Sequence, residues 1–405
     1  MSRNPTPPQP LAVAIFAVFA LFAPAETLPT RGQVIVPPST AGLPGIPRTS
    51  LYVFVPEGAT LPMGQPAGET PASIACIYGL TKPVQGCPIN GTTEVPTGGS
   101  RAIAVIEYGH YPQEQSDLDT FSQQFGLPPA NFEEVCFSWA GCPDNSGLGW
   151  DLEEALDLQW AHAMAPNAKI YAVETGSVSD LYPANQMAGE LVARSGGGEV
   201  ANTWLEVNEP PHEEQYDKNF KYRGVVYLFS AGDWLALPLY PSTSPFVVSV
   251  GGTTLKRDSS GNFTGETCWN RSGGAISREE ARPAYQDIIK KLVGSFRGTP
   301  DMSFDGDPQT GVAVYSSSYC GGWCITGGTS VGSPSLAGVL NSAGTFYSST
   351  DAELSRIYKE YGNKKQYHEW FRDITTGSNG SGVIGAKKGW DECTGVGSVV
   401  TYTGK

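Results

Sequence analysis

Five short apolar runs separated by stretches of helical periodicity constrain this chain more than any other feature. They are Ala102 to Glu107 (AIAVIE), Lys169 to Glu174 (KIYAVE), Glu199 to Trp204 (EVANTW), Gly224 to Ser230 (GVVYLFS) and Phe246 to Gly252 (FVVSVGG). Runs that are apolar throughout, rather than alternating, suit strands covered on both faces, as in a parallel sheet. Between them, helical patterns run over Ser116 to Phe125, Asp151 to Ala165 and Ser179 to Ala193, and a fourth follows Ser330. This alternation predicts α/β architecture: one domain with a doubly wound, mostly parallel sheet and helices on both faces. The site of such a domain is expected in the crevice at the carboxyl ends of the strands.

The domain does not start at residue 1. Residues 11 to 23, LAVAIFAVFALFA, follow Arg3 and run into Ala23, Pro24 and Ala25, so residues 1–25 read as a secretory signal peptide. A secreted protein with no stable membrane insertion after signal cleavage is the expectation, since no other run approaches the roughly 20 apolar residues a bilayer span needs. Residues 26–70, rich in Pro, Gly and Thr, read as a linker or short pro-segment with one strand at Ser50 to Val55, and residues 71–405 as the regular domain. A net charge of −14 without a basic cluster argues against a nucleic-acid partner, and a monomer is expected. Eight cysteines in an exported chain imply disulfides. Cys76 with Cys87 and Cys136 with Cys142 are near enough to close local loops, whereas the pairing of Cys268, Cys320, Cys324 and Cys393 stays open.

Chemistry concentrates first in GGTSVGSPSLAG, residues 327–338, which sets Ser330 between glycines at the mouth of a helix. Free backbone N–H groups and the helix dipole at such a place favour a developing oxyanion, although a Ser or Thr there is also the ordinary helix cap. The run satisfies G-x-S-x-G, the esterase pattern, but that chemistry needs an acid and a histidine further along, and only His368 follows. A second concentration is DLEEALDLQWAHAMAP, residues 151–166, where Glu153 and Asp157 stand one turn apart on the same helical face. In a helix apolar nearly all round, burial would raise the pKa of at least one of them and make the pair share a proton. A glutamate tuned in this way can serve a serine as general base in acid; a solvated acidic stripe is the plainer alternative. The third is Asp233 in FSAGDW, just past a strand, either a cap or a protonated carboxyl able to donate to an oxyanion.

Glu153 and Asp157 in EEALDLQWAHAMAP, Asp233 in SAGD, the following YPSTSPFVVSVGGTTL and the serine of GGTSVGSPSLAG occur in one order, and together they resemble the sedolisins. These are serine-carboxyl peptidases of subtilisin-like fold, active in acid. The resemblance covers about Thr70 to Lys405. It implies a peptide or protein substrate, with Ser330 as nucleophile, Glu153 as base, Asp157 orienting Glu153, and Asp233 as the protonated oxyanion donor. Glu107 in VIEYG, with Trp204 beside it, matches a carboxyl that some members place behind the base. FRDITTGSNG and AKKGWDECTG resemble the family's loop for one structural Ca²⁺. That likeness implies carboxylates from Asp373 and Asp391 and carbonyls from Ile374, Lys387 and Gly389, oxygen donors of the kind this hard cation takes. Lys387 stands where glycine is common, which implies strain in the loop.

The chain departs from the family pattern in three places. About 45 residues between signal and domain leave no room for the family's large folded propeptide, so maturation is expected to differ. The strand that usually runs from Trp into Gly reads Thr203, Trp204, Leu205, Glu206, and the glycine-rich turn after the oxyanion acid is replaced by Trp234, Leu235, Ala236. Both segments wall the S1 pocket in a subtilisin-like cleft, so a narrowed or filled pocket is expected. The second reading is accordingly a catalytically impaired binding or scaffold protein on the same fold.

Overall fold

The computed structural model describes residues 31–206, 208–234, 236–380 and 384–404. The expected signal peptide, residues 1–25, lies outside them. Among the described residues, no helix is long and apolar enough to cross a membrane.

Parallel strands form the spine of the molecule, in the order Met302–Asp305, Val248–Arg257, Val225–Ser230, Gly198–Asn202, Ala102–Tyr108, Lys169–Thr175 and Asn131–Phe137. Phe263–Cys268 adds an antiparallel strand along Val248–Arg257. All five apolar runs of the sequence become strands of this sheet. Asn131–Phe137 (NFEEVCF) was not legible because it is an outer strand whose charged positions are exposed; its register comes from pairing with Lys169–Thr175.

Alternate side chains of the central strand serve two cores. Ile103 and Val105 pack with Leu152, Leu156 and Trp160 of the helix Trp150–Met164 and with Leu336 and Leu340 of the helix Gly332–Ser342. Ala104 and Ile106 face Leu181, Ala188 and Val192 of Leu181–Arg194. Each aliphatic side chain so buried contributes about 1.5–3 kcal/mol. The helix Trp150–Met164 is buried at every position, because the sheet, the Gly332–Ser342 helix and the helix Glu114–Phe125 all pack on it.

A second, antiparallel sheet joins Gly32–Ile35, Tyr52–Pro56, Gly322–Gly327 and Val312–Ser316. Residues expected as a linker therefore contribute two strands, and Leu51, Tyr52, Val53 and Phe54 are buried in the protein. Disulfides close Cys76–Cys87 and Cys136–Cys142, and the open pairings resolve as Cys268–Cys393 and Cys320–Cys324. The short Cys320–Cys324 spacing is thus a loop clip and not a metal half-site.

Candidate active site

Ser330 lies in a short turn, Thr329–Val331, between the strand Gly322–Gly327 and the helix Gly332–Ser342. Gly328 makes this turn possible: its φ of 118° is in the left-handed half of the map, where a side chain is strained. The helix has no side-chain cap, and Ser330 Oγ, fully buried, has no hydrogen-bond partner. The serine is therefore not the cap that its sequence position would usually mean.

Facing it is the buried helix Trp150–Met164, whose polar side chains divide into two groups. Asp151 accepts from Gly147 N (2.9 Å), Gly149 N (3.1 Å) and Ser318 Oγ (2.7 Å), and Gln159 exchanges hydrogen bonds with the Tyr315 backbone at 2.7 and 3.0 Å. Glu153 and Asp157, by contrast, are buried with unpartnered oxygens. Leaving such a group charged in an apolar interior is costly, so it holds a proton instead. Burial pushes the Glu153 carboxyl up to about 8, against the opposing pull of the Ser330, Thr203 and Thr49 hydroxyls and with added repulsion from Asp233. The Ser330 hydroxyl is thus close enough to act on Glu153, although neither group completes a hydrogen bond of full geometry. A serine and its base commonly stand in this looser contact until substrate closes it.

Asp157 accepts from Thr203 Oγ1 at 3.3 Å, and its pKa is raised well above the usual range by burial and by the charges of Glu107 and Glu153. Glu107 is raised likewise, by burial and by Glu153, while its contact with Asp157 opposes the shift. Like charges so near one another do not all ionise together, so Glu107, Asp157 and Glu153 titrate as one group. Sequence reasoning had the proton shared between Glu153 and Asp157; Glu107, on the strand Ala102–Tyr108, is a third carboxyl whose charge acts on both. Trp204 does not touch these carboxyls by hydrogen bond: its indole N–H donates to Asn202 Oδ1 at 2.9 Å.

Asp233 follows the strand Val225–Ser230 and bonds to the residue before Ser330. Its Oδ1 accepts from Thr329 N (2.9 Å) and Thr329 Oγ1 (2.8 Å), whereas Oδ2 is buried and unpartnered. Burial raises the carboxyl to about 7, the Thr329 hydrogen bonds and Arg271 pulling the other way. Below that pH the acid is neutral and its free oxygen can carry a proton to donate, the role a helix cap would not require.

Of the two segments expected to wall the cleft, the one carrying Leu205 packs beside Gly232. A Cβ at Gly232 would meet Leu239 Cδ1 at 2.4 Å and Leu205 Cδ1 at 3.0 Å, so the two leucines leave no room for a side chain at that glycine. Leu205 does not block the backbone, however: its N–H donates to the Arg48 carbonyl at 3.2 Å, and the Arg48 guanidinium lies 5.2 Å from the Trp234 ring. Leu235 lies outside the described residues.

Sequence reasoning missed the hydroxyls of Thr49, Thr203 and Thr329, which touch the site's carboxyls. Thr329 adjoins Ser330 and could have been found; Thr49 sits in the segment taken for a linker. It also missed a cluster behind the base, His110, Glu114, Glu134 and Glu174, whose ligand atoms lie within 4.8 Å of one another. His110 Nδ1 is 2.7 Å from Glu174 and 3.3 Å from Glu134, in an arrangement of metal-binding type.

The C-terminal loop draws its five named residues together. Asp373 Oδ1 accepts from Gly389 N at 3.0 Å, and Asp391 accepts from Lys387 N (2.9 Å) and Thr394 N (2.8 Å). Between described residues no hydrogen bond reaches the carbonyl oxygens of Ile374, Lys387 and Gly389. The positive φ falls on Gly389 (80°) and not on Lys387, so the strain expected at that lysine does not arise.

A parallel-sheet α/β fold holding a buried serine between two protonatable carboxyls defines a serine-carboxyl site. No protein-family profile matches the chain. It is 26% identical to sedolisin of Pseudomonas sp. (strain 101) over 434 residues, covering 95% of this chain and 68% of that protein. It is 29% identical to kumamolisin of Bacillus sp. (strain MN-32) over 75% of this chain and 59% of that one, and 26% identical to tripeptidyl-peptidase 1 of Dictyostelium discoideum over 76% and 54%. The chain thus spans between about half and two thirds of the length of these relatives. The solved structure of Pseudomonas sedolisin, a serine-carboxyl proteinase complexed with pseudo-iodotyrostatin, matches with a TM-score of 0.65 at 22% identity, over 83% of this chain and 96% of that one. In sequence and in fold the chain is a relative of the sedolisins.

Proposed function

We propose that this protein is a secreted, acid-active serine-carboxyl endopeptidase that cleaves peptide bonds through an acyl-enzyme on Ser330. One observation carries the reading: Ser330 Oγ, the Glu153 carboxyl and Asp233 Oδ2 are all buried and unpartnered around one turn. Glu153 acts from its ionised form, which the Ser330, Thr203 and Thr49 hydroxyls favour against burial, and takes the serine proton as Oγ attacks the substrate carbonyl. The oxyanion is met by the Ser330 N–H and by the proton on Asp233 Oδ2, and Glu153 passes its proton to the leaving amine. Asp157, with Glu107 beside it, holds Glu153 in place. Water then repeats the attack on the ester and frees the serine. Ser330→Ala is expected to abolish hydrolysis of denatured casein at acid pH with an unchanged melting curve; retained activity would sink the assignment.

The Asp373–Asp391 loop suits one structural Ca²⁺. Two carboxylates and the free carbonyls of Ile374, Lys387 and Gly389 are the hard oxygen donors this ion takes, and the Gly389 N–H to Asp373 hydrogen bond joins the two segments that carry them. Calcium there would tie the loop carrying the Cys268–Cys393 bridge to the strand pair Phe371–Arg372 and Ser398–Val399. Because a ligand bound only by the folded state stabilises it, EGTA should lower the melting temperature and excess Ca²⁺ restore it. A melting curve indifferent to both would count against the ion.

A further inference from the structure

Away from the serine, His110, Glu114, Glu134 and Glu174 each offer one ligand atom within 4.8 Å of the others, and four separate elements bring them there. His110 follows the central strand Ala102–Tyr108, Glu114 opens the helix Glu114–Phe125, Glu134 lies on the outer strand Asn131–Phe137, and Glu174 stands near the end of Lys169–Thr175. Strand register sets the spacing. Glu174 pairs with Glu107 on one side and Cys136 on the other, and Glu134 is two residues from Cys136, so Glu107, Glu174 and Glu134 share one face of the sheet. The backbone of His110 is pinned beside that face: its N–H donates to the Pro143 carbonyl at 2.7 Å, and its carbonyl accepts from Asn145 N at 3.0 Å.

Two features set the group apart from an ordinary acidic patch. Glu174 is fully buried and Glu114 is 5% exposed, yet Oε2 of each completes no hydrogen bond. Glu154, buried in contact with Glu114, leaves its Oε1 unpartnered as well. Buried polar atoms are nearly always satisfied, so three such oxygens around one point are a signal in themselves. The second feature is charge. Among the described residues no lysine or arginine forms an ion pair with Glu114, Glu134, Glu154 or Glu174, and the basic group that meets them is His110, whose Nδ1 is 2.7 Å from Glu174 and 3.3 Å from Glu134. Ionised together, these acids need a cation from outside the chain. The side chains of His110 and Glu134 are 32% and 40% exposed, which gives an ion a path from solvent.

We propose that His110, Glu114, Glu134 and Glu174 form a binding site for one divalent transition-metal ion, with Zn²⁺ the ion the donor set fits best. An imidazole nitrogen beside carboxylates suits zinc, whereas calcium takes oxygen ligands, which separates this site from the Asp373–Asp391 loop. Donors about 2.0–2.2 Å from a tetrahedral ion stand about 3.4 Å from one another. His110 Nδ1 and Glu134 already have nearly that spacing at 3.3 Å, and the His110–Glu174 pair opens slightly from 2.7 Å. The remaining adjustment falls on glutamate side chains, which have three torsions each. A bound ion takes up the orphan oxygens of Glu114 and Glu174 and ties the outer strand and the Glu114–Phe125 helix to the sheet, next to Glu107. The site uses no atom of Ser330, so it stands or falls separately from the peptidase reading.

Calorimetric titration of the full chain with Zn²⁺ at pH 7, after dialysis against EDTA and with Ca²⁺ in excess, tests this. One Zn²⁺ per chain is expected, with affinity lowered about a hundredfold or more in His110→Ala and in Glu174→Gln. Binding should be unchanged in Ser330→Ala and when the exposed histidines His212 and His368 are both changed to Ala. Co²⁺ in place of Zn²⁺ should give the visible absorption bands of a tetrahedral ion, and His110→Ala should remove them. Melting curves without metal show whether each variant folds; if Glu174→Gln does not, Glu134→Gln changes a more exposed ligand and should show the same loss. No Zn²⁺ uptake would overturn the proposal, as would uptake undiminished in folded His110→Ala, uptake lost with His212 and His368, or displacement of Zn²⁺ by an equal concentration of Ca²⁺.

Discussion

The acid at position 233 ties the chemistry to pH. It is raised to about 7 by burial, so it is neutral below that value and ionises above it. Ionisation removes the proton it would donate and sets a negative charge beside Glu153 and the oxyanion, so activity should fall as pH rises through about 7. Asp233→Asn keeps an acceptor for Thr329 and supplies a permanent N–H donor, and its pH–rate profile should lose that alkaline limb. Asp233→Ala should lower kcat by about 10²–10³ with little change in KM, the usual cost of one oxyanion donor; an unchanged kcat would remove Asp233 from the mechanism. Leu205 belongs to the same scale. Trimming it to Ala opens the space beside Gly232, and kcat/KM for peptides with a large P1 side chain should rise at least tenfold against small ones, at a stability cost of about 2–5 kcal/mol. The identities of Ser330, Glu153, Asp157 and Asp233 were legible because each sits in a short motif of distinctive composition. Thr49, Glu174 and His110 were not, since a lone threonine, glutamate or histidine carries no local signal before the fold brings it to a neighbour.

At the scale of elements, two helices hold the serine and its base together, and they meet at a glycine. A Cβ at Gly338 would lie 2.5 Å from Met164 Cβ and 2.8 Å from the Ala161 carbonyl. Gly338→Val should therefore push Gly332–Ser342 away from Trp150–Met164, destabilise the fold by about 1–3 kcal/mol as overpacking does, and reduce kcat more than it changes KM. A stable variant with full kcat would mean the Ser330–Glu153 contact does not depend on this packing. The principal strands and helices of the catalytic layers were visible in the sequence because the strands are short runs apolar throughout and the helices between them are periodic. The strand expected at Ser50 to Val55 is found as Tyr52–Pro56, whereas Asn131–Phe137 and Gly32–Ile35 were harder to see. They are held by pairing across the chain, and pairing partners leave no trace in local composition.

For the molecule as a whole, so many buried acids reverse the usual response to pH. Glu153, Glu174 and Glu280 are raised to about 8, and Glu114 and Asp233 to about 7, chiefly by burial. The folded state thus keeps protons that an unfolded chain releases above about 4 to 4.5. Stability should be full in acid and decline as pH rises from about 4.5 to 8, because over that window the native state binds more protons than the unfolded one. The lowered Asp144 and Asp258 act in the other direction but lie at the surface, where screening leaves them little weight. A melting temperature that rises between pH 4.5 and 8 would contradict this account. From sequence alone came the α/β class, the buried character of the central strands, two of the disulfides and the four residues around the nucleophilic turn. These are set by local periodicity and by motifs that act over a few residues. Tertiary structure alone decided that Glu107 stands with Asp157 and Glu153, that Leu205 and Leu239 pack against Gly232, and that the Pro- and Gly-rich segment lies across Ser330. Each of these depends on which distant groups share one small dry volume, and in such a volume proximity, through desolvation and charge, sets what a side chain does.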